Sequence, residues 1–172
     1  MQNNRPDFIK YVSELIVNQS FSYPNDKETF GIGAAMGRKL GLARIGINYE
    51  ILRPGDRSSW PHAHSHDEEF VFILEGNPDM WIDGEIFSLR PGDCVGLPPR
   101  TGHAHTLINN TELEVRAIVV GDSGHPEDKI FYPLHPARNE ECQKEGWFWE
   151  NHPIHKLGNH DGVPNMKGSN EF

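Results

Sequence analysis

The stretch WPHAHSHDEEF holds the residues best suited to chemistry: His62 and His64 stand two apart, so in an extended strand both imidazoles leave the same face. Two imidazoles on one face can chelate a divalent ion. Glu69, just past an expected turn over residues 65–68, adds a carboxylate, and two histidines with one carboxylate form a facial set that leaves metal positions open for substrate. A fourth ligand is available from TGHAHTLIN, where His103 and His105 again share a strand face with Leu107 and Asn109 and only one of the pair is needed.

Around these clusters the roles are less defined. Trp60 directly precedes PHAH and is placed either to line a substrate pocket or to shield the ion from water. Arg100 lies beside the second cluster, where a guanidinium could meet a substrate carboxylate or phosphate; Arg57 and Arg116 are weaker candidates for the same task. Asp67 and Glu68 read as a solvated turn before they read as acceptors for ring N–H groups, and His66 reads as a loop or pocket-rim residue. No general base is assigned, because Asp67, Glu68, His66 and His103 have no fixed position in the sequence alone. The remaining histidines, including His125, His135, His152, His155 and His160, lack ligand spacing and read as surface residues.

The elements that must position the clusters are short strands. ARIGINYEIL alternates with period two and ends at the turn RPGD; EFVFIL, DMWID, EIFSL, DCVGL, HAHTLIN and LEVRAIVV follow, separated by EGNP, DG, RPGD, PPRTG and NNTE. The Asp83-Gly84 pair predicts a type I′ hairpin, since both central residues of that turn need positive φ. This pattern predicts an all-β sandwich, jelly roll or barrel, with the roughly forty residues between the clusters returning the second beside the first. Phe70, Phe72 and Trp81 are expected in the barrel core.

Residues 1–42 are read as a lead-in with a short amphipathic helix over 6–17, residues 43–120 as the barrel, and residues 121–172 as an irregular extension with a turn of helix near 139–144. FYPLHP and GWFWENHP carry too many large aromatics for a free tail, so the extension is expected to pack on the barrel or on a second subunit, and the end after about Pro164 is expected to be disordered.

With 172 residues, 36% hydrophobic and 24% charged, the chain suits one globular domain. A net charge of -9 argues against nucleic acid and anionic membrane surfaces as partners. Neither a basic-then-apolar leader nor an apolar run near about 18 residues is present, so a cytoplasmic location is expected. Cys94, in an apolar run, reads as a buried hydrophobe; Cys142, after Glu140 and Glu141, reads as a poor nucleophile. Two sequons, at Asn18 and Asn109, read as chance.

The histidine pattern resembles the two motifs of the cupin superfamily. The first is carried by Gly55, His62, His64, Glu69 and Gly76, with one extra residue between Gly55 and His62; the second by Gly92, Pro98, His105 and Asn109, with two extra residues after Pro98. The resemblance covers residues 43–120 and implies a double-stranded β-helix, the cupin jelly-roll barrel, holding one divalent ion (Fe, Mn, Ni or Zn) on His62, His64, Glu69 and His105, with His103 at the unexpanded spacing as an alternative. A closer likeness, to small single-domain bacterial cupins, rests on SWPHAHS, EEFVF, IDG, PGD, TGHAHT, INN and FYP, and specifies no reaction. The superfamily spans dioxygenases, sugar isomerases, decarboxylases, lyases, storage proteins and sugar sensors, so the implied activity is metal-dependent chemistry on a small organic substrate, leaning to non-haem iron dioxygenation. A sugar isomerase or lyase, a non-catalytic small-molecule binder and a barrel merely stapled by metal are the alternatives, and a homodimer is compatible with each.

Overall fold

A computed structural model describes residues 5–165. Its strands are β1 (Ile32–Ala35), β2 (Ile45–Leu52), β3 (Ala63–His64), β4 (Glu69–Glu75), β5 (Asp79–Ile82), β6 (Glu85–Ser88), β7 (Cys94–Leu97), β8 (His105–Ile108), β9 (Val115–Asp122) and β10 (Ile130–Phe131). They form a five-stranded sheet in the order β1-β2-β9-β4-β7, a three-stranded sheet in the order β6-β5-β8, and the pair β10-β3. Every pairing within these sheets is antiparallel. The protein is an all-β double-stranded β-helix. The turn at Asp83-Gly84 has φ of 49° and 87°, the two positive values that a type I′ hairpin requires.

Alternation along the strands builds the core. Leu52, Val71, Ile73, Val115, Ala117 and Val119 of the large sheet face Met80 and Leu107 of the small one. The opposite faces are covered by chain outside the barrel. Tyr49 and Ile51 of β2, with their sheet neighbour Ala34, pack under Leu15 from the N-terminal segment. Trp81, fully buried, lies not between the sheets but on the outer face of the small sheet, beneath Trp149 and Leu157, and its indole N–H donates to the His160 carbonyl at 2.9 Å. Phe70 is 42% exposed and Phe72 half-buried, because the inward positions of β4 belong to Val71 and Ile73. Cys94 is exposed for a similar reason: it opposes Phe72 on β7, at the edge of the large sheet.

Within residues 6–17 the helical structure is a single 3-10 turn, Val12–Glu14, shorter than the periodicity of that stretch predicts. A one-turn helix α1 (Met36–Lys39) follows β1, and the helix expected near 139–144 extends over α2 (Pro136–Glu145), opened by Pro136 and closed by left-handed Gly146. The extension is tied to the barrel by β10-β3 pairing and by Gly158. An added Cβ on Gly84 would fall 2.4 Å from the Gly158 nitrogen, so this approach needs glycine. Beyond Asn165 the expected disorder lies outside the described residues.

Candidate metal centre

His62 and His105 are cross-strand partners: His62 N–H donates to the His105 carbonyl at 3.2 Å and His105 N–H returns a bond of 3.0 Å. Glu69, the first residue of β4, shares the inward face with Val71 and Ile73. One ligand atom from each of His62, Glu69 and His105 lies within 4.8 Å of the others. These side chains help line a cavity of about 90 Å³, roomy enough for several waters or the reacting end of a small ligand.

The hydrogen bonds of the trio call for a cation. His62 Nδ1–H donates to the Trp60 carbonyl at 2.8 Å, leaving the Nε2 lone pair free. Burial, helped by His64 and His105, pushes the His62 pKa down to about 3, so the ring is neutral at physiological pH. His105 places Nε2 2.6 Å from Glu69 Oε2 and Nδ1 3.2 Å from the His103 carbonyl. Both neighbours are acceptors, whereas a neutral imidazole has a single N–H. Burial raises the Glu69 pKa, but the bond from His105 and the surrounding imidazoles outweigh it and hold the carboxyl well below its usual range. The site is therefore short of one positive charge, supplied either by a second proton on His105 or by an ion between ring and carboxylate.

His64 stands beside this trio rather than within it. Its ring centroid is 4.9 Å from that of His62, and its Nδ1–H donates to Asp128 Oδ2 at 2.7 Å. Burial lowers the His64 pKa, but the Asp128 bond and the charge of Glu69 raise it more, and the net shift is upward. Asp128 is fixed in turn: its other oxygen accepts the backbone N–H groups of His66 and Asp67. Sequence reading passed over Asp128 because it lies in the irregular extension, remote from both motifs.

Glu50 was missed as well. It shares the inward face of β2 with Leu52, lines the same cavity, and its buried Oε2 has no hydrogen-bond partner. Burial and then the charge of Glu69 raise its pKa to about 7. In INYEIL Glu50 shares the polar side of the alternation with Asn48, opposite Ile47, Tyr49 and Ile51, so the sequence reads it as solvent-facing.

The remaining named residues lie elsewhere. Trp60 is stacked between Tyr23 and His135, each at 4.1 Å, and its indole N–H donates to Glu28 at 2.9 Å; it is absent from the cavity lining. Arg100 is exposed, with a backbone φ of 66°. Arg57, 3% exposed, makes a bidentate pair with Glu28, and Arg116 bonds Glu114 at the surface. His103, half-exposed, bonds Asp83 and lies against the tilted ring of His155, so of the two candidate fourth ligands it is His105 that reaches Glu69. Cys142 is buried, and burial, with Glu145 and Glu141 nearby, raises its thiol pKa to about 11.

Residues 48–121 match the family described as a cupin domain. The chain is 36% identical over 84 residues to a polyketide synthase CurC from Streptomyces cyaneus, covering 49% of each chain. It is 30% identical over 82 residues to a quercetin 2,3-dioxygenase from Bacillus subtilis, covering 44% of this chain and 24% of that one. A crystal structure described as a sugar phosphate isomerase of the cupin superfamily, from Silicibacter pomeroyi, superposes with a TM-score of 0.57 at 30% identity, covering 59% of this chain and 64% of that one. In each case the chain spans less than two-thirds of the relative's length. With the barrel and both motifs in place, residues 48–121 form a cupin domain. Among the described residues, no helix is long and apolar enough to cross a membrane.

Proposed function

We propose that the protein is a metal-dependent enzyme acting on a small organic substrate, with one divalent ion held by His62, His64, Glu69 and His105. The observation that carries this reading is the proton count at His105, whose two nitrogens face two acceptors, one of them the part-buried Glu69 carboxyl held well below its usual pKa. His62 presents a free Nε2, and the Asp128 bond at His64 Nδ1 frees the Nε2 of that ring in the same way. A bound ion would supply Lewis acidity and, if it is iron, redox chemistry with O₂. Around it, Val71, Met80, Leu107 and Val119 exclude bulk water, and Glu50 is placed to accept or return a substrate proton at its free oxygen.

Oxygenase chemistry is the leading reading, since the curated relatives include a quercetin 2,3-dioxygenase and a 5-nitrosalicylic acid 1,2-dioxygenase. The second reading is an aldose–ketose type isomerisation, favoured by Glu50 as a proton-transfer group and by the isomerase of similar fold. We read residues 43–120 as the working barrel, 1–42 and 121–172 as its two covers, the location as cytoplasmic and the assembly as a homodimer. Elemental analysis of protein purified without a metal-affinity tag, with electron paramagnetic resonance before and after nitric oxide, tests the function. Stoichiometric iron that binds nitric oxide supports oxygenation, and zinc, nickel or manganese supports the isomerase. A protein without metal, or one that loses no metal on His62→Ala, overturns the reading.

A further inference from the structure

A second group of ligand-type side chains lies where the extension meets the barrel. Asp83 sits in the β5-β6 turn, His103 in the loop before β8, and His155 in the extension, and one ligand atom from each lies within 4.8 Å of the others. Unlike His105, each ring here faces a single acceptor and can stay neutral, which leaves one nitrogen of each uncommitted. His103 Nδ1 is 2.6 Å from Asp83 Oδ2, while Asp83 Oδ1 is occupied by the Ala104 N–H at 2.9 Å, which fixes the carboxylate to the barrel. His155 donates Nε2–H to the Thr101 carbonyl at 2.8 Å, so its Nδ1 carries the free lone pair. The two rings lie with centroids 4.2 Å apart. Their backbones are docked as well: Gly102, at φ 76°, lies against Pro153, so an added Cβ there would come within 3.0 Å of that proline.

From this geometry we infer that Asp83, His103 and His155 form a second divalent-metal site, of the type that suits zinc, which clamps the C-terminal extension to the barrel. Two imidazoles and a carboxylate on three separate segments leave the remaining coordination to water on the half-exposed His103 side. The bound ion takes the place of the proton shared by His103 and Asp83, and His155 enters through Nδ1 with its ring already oriented by Thr101. Metal at this site ties residue 155 to residues 83 and 103 without touching the barrel interior. The site thus stands independently of the function proposed above.

The test is zinc titration of the demetallated full chain against a chromogenic chelator, combined with trypsin cleavage after the exposed Lys156. The wild type is expected to bind one zinc equivalent more than His103→Ala or His155→Ala. Asp83→Asn, which retains an oxygen for the Ala104 N–H, should weaken that equivalent at least about tenfold. Zinc should slow cleavage at Lys156 in the wild type and in His62→Ala, which lacks the interior site, and should have no effect in His103→Ala. Equal zinc stoichiometry in wild type and His103→Ala, or cleavage at Lys156 indifferent to zinc, overturns the proposal. Loss of zinc by His62→Ala alone would bear only on the interior site.

Discussion

Glu50 is the residue whose charge the fold tolerates least. Its carboxyl is buried with an unpartnered oxygen and faces the like charge of Glu69. Because the folded pKa, about 7, lies above the ordinary value of 4.5, the native state binds more protons than the unfolded chain between those two pH values. Stability contributed by the protonated form is complete below about pH 4.5 and is lost as pH rises through about 7. Metal-free protein should therefore lose a few kcal/mol relative to Glu50→Gln as pH is raised from 5 to 8, read as the difference between the two urea-unfolding curves. Restoring the ion should shrink that difference, since a positive charge nearby favours the carboxylate. The pairs His62/His64 and His103/His105 were legible because spacing by two on a strand is a geometric statement, whereas the choice of His105 over His103 came from the cupin resemblance. Glu50 and Asp128 were not legible in that way, since each becomes functional only through burial beside a distant segment. Asp128→Asn, which keeps the size but removes the charge, is expected to weaken metal binding about tenfold to a hundredfold if His64 is a ligand, measured by competition with a chelator.

Among the elements, β2 and β4 to β9 could be read from alternation and turn chemistry, while β1, β3 and β10 could not. The last two are two-residue pairings that exist because the extension folds back onto the first histidine motif. The same folding back explains the misplaced aromatics. Period two on β5 separates Met80 from Trp81, and sequence cannot say which face is the interior when both are covered. Trp81 thus reports on the extension and not on the core between the sheets. Trp81→Ala should cost about 3–5 kcal/mol, as for other large buried aromatics, and should release the extension first. Limited proteolysis expresses this as faster cutting after Lys156 with slower loss of the barrel fragment. Simultaneous loss of both would mean that extension and barrel unfold as one unit.

At the scale of the whole molecule, a cupin barrel presents an interior that is apolar along its length and charged at one place. Val71, Met80, Leu107 and Val119 line a cavity that also holds two carboxylates and two imidazoles. Burying that many ionisable groups is unfavourable unless their charges are matched, and within the trio the ionised Glu69 is offset only by a second proton on His105 or by a cation. Metal binding and folding should therefore be coupled. An ion that binds the native state alone stabilises it by RT ln(1 + [L]/Kd), about 4 kcal/mol when free metal is a thousandfold above Kd. Dialysis against a chelator should lower the midpoint of thermal unfolding by several degrees, and His105→Gln should abolish the difference between loaded and stripped protein. His105→Gln replaces a ring whose two nitrogens face acceptors with an amide that can satisfy Glu69 without a charge, so the stripped variant should match or exceed the stripped wild type in stability. If stripping left the wild-type midpoint unchanged while elemental analysis showed the ion gone, the buried charge would be balanced by protonated His105. The interior would then be a polar network complete in itself.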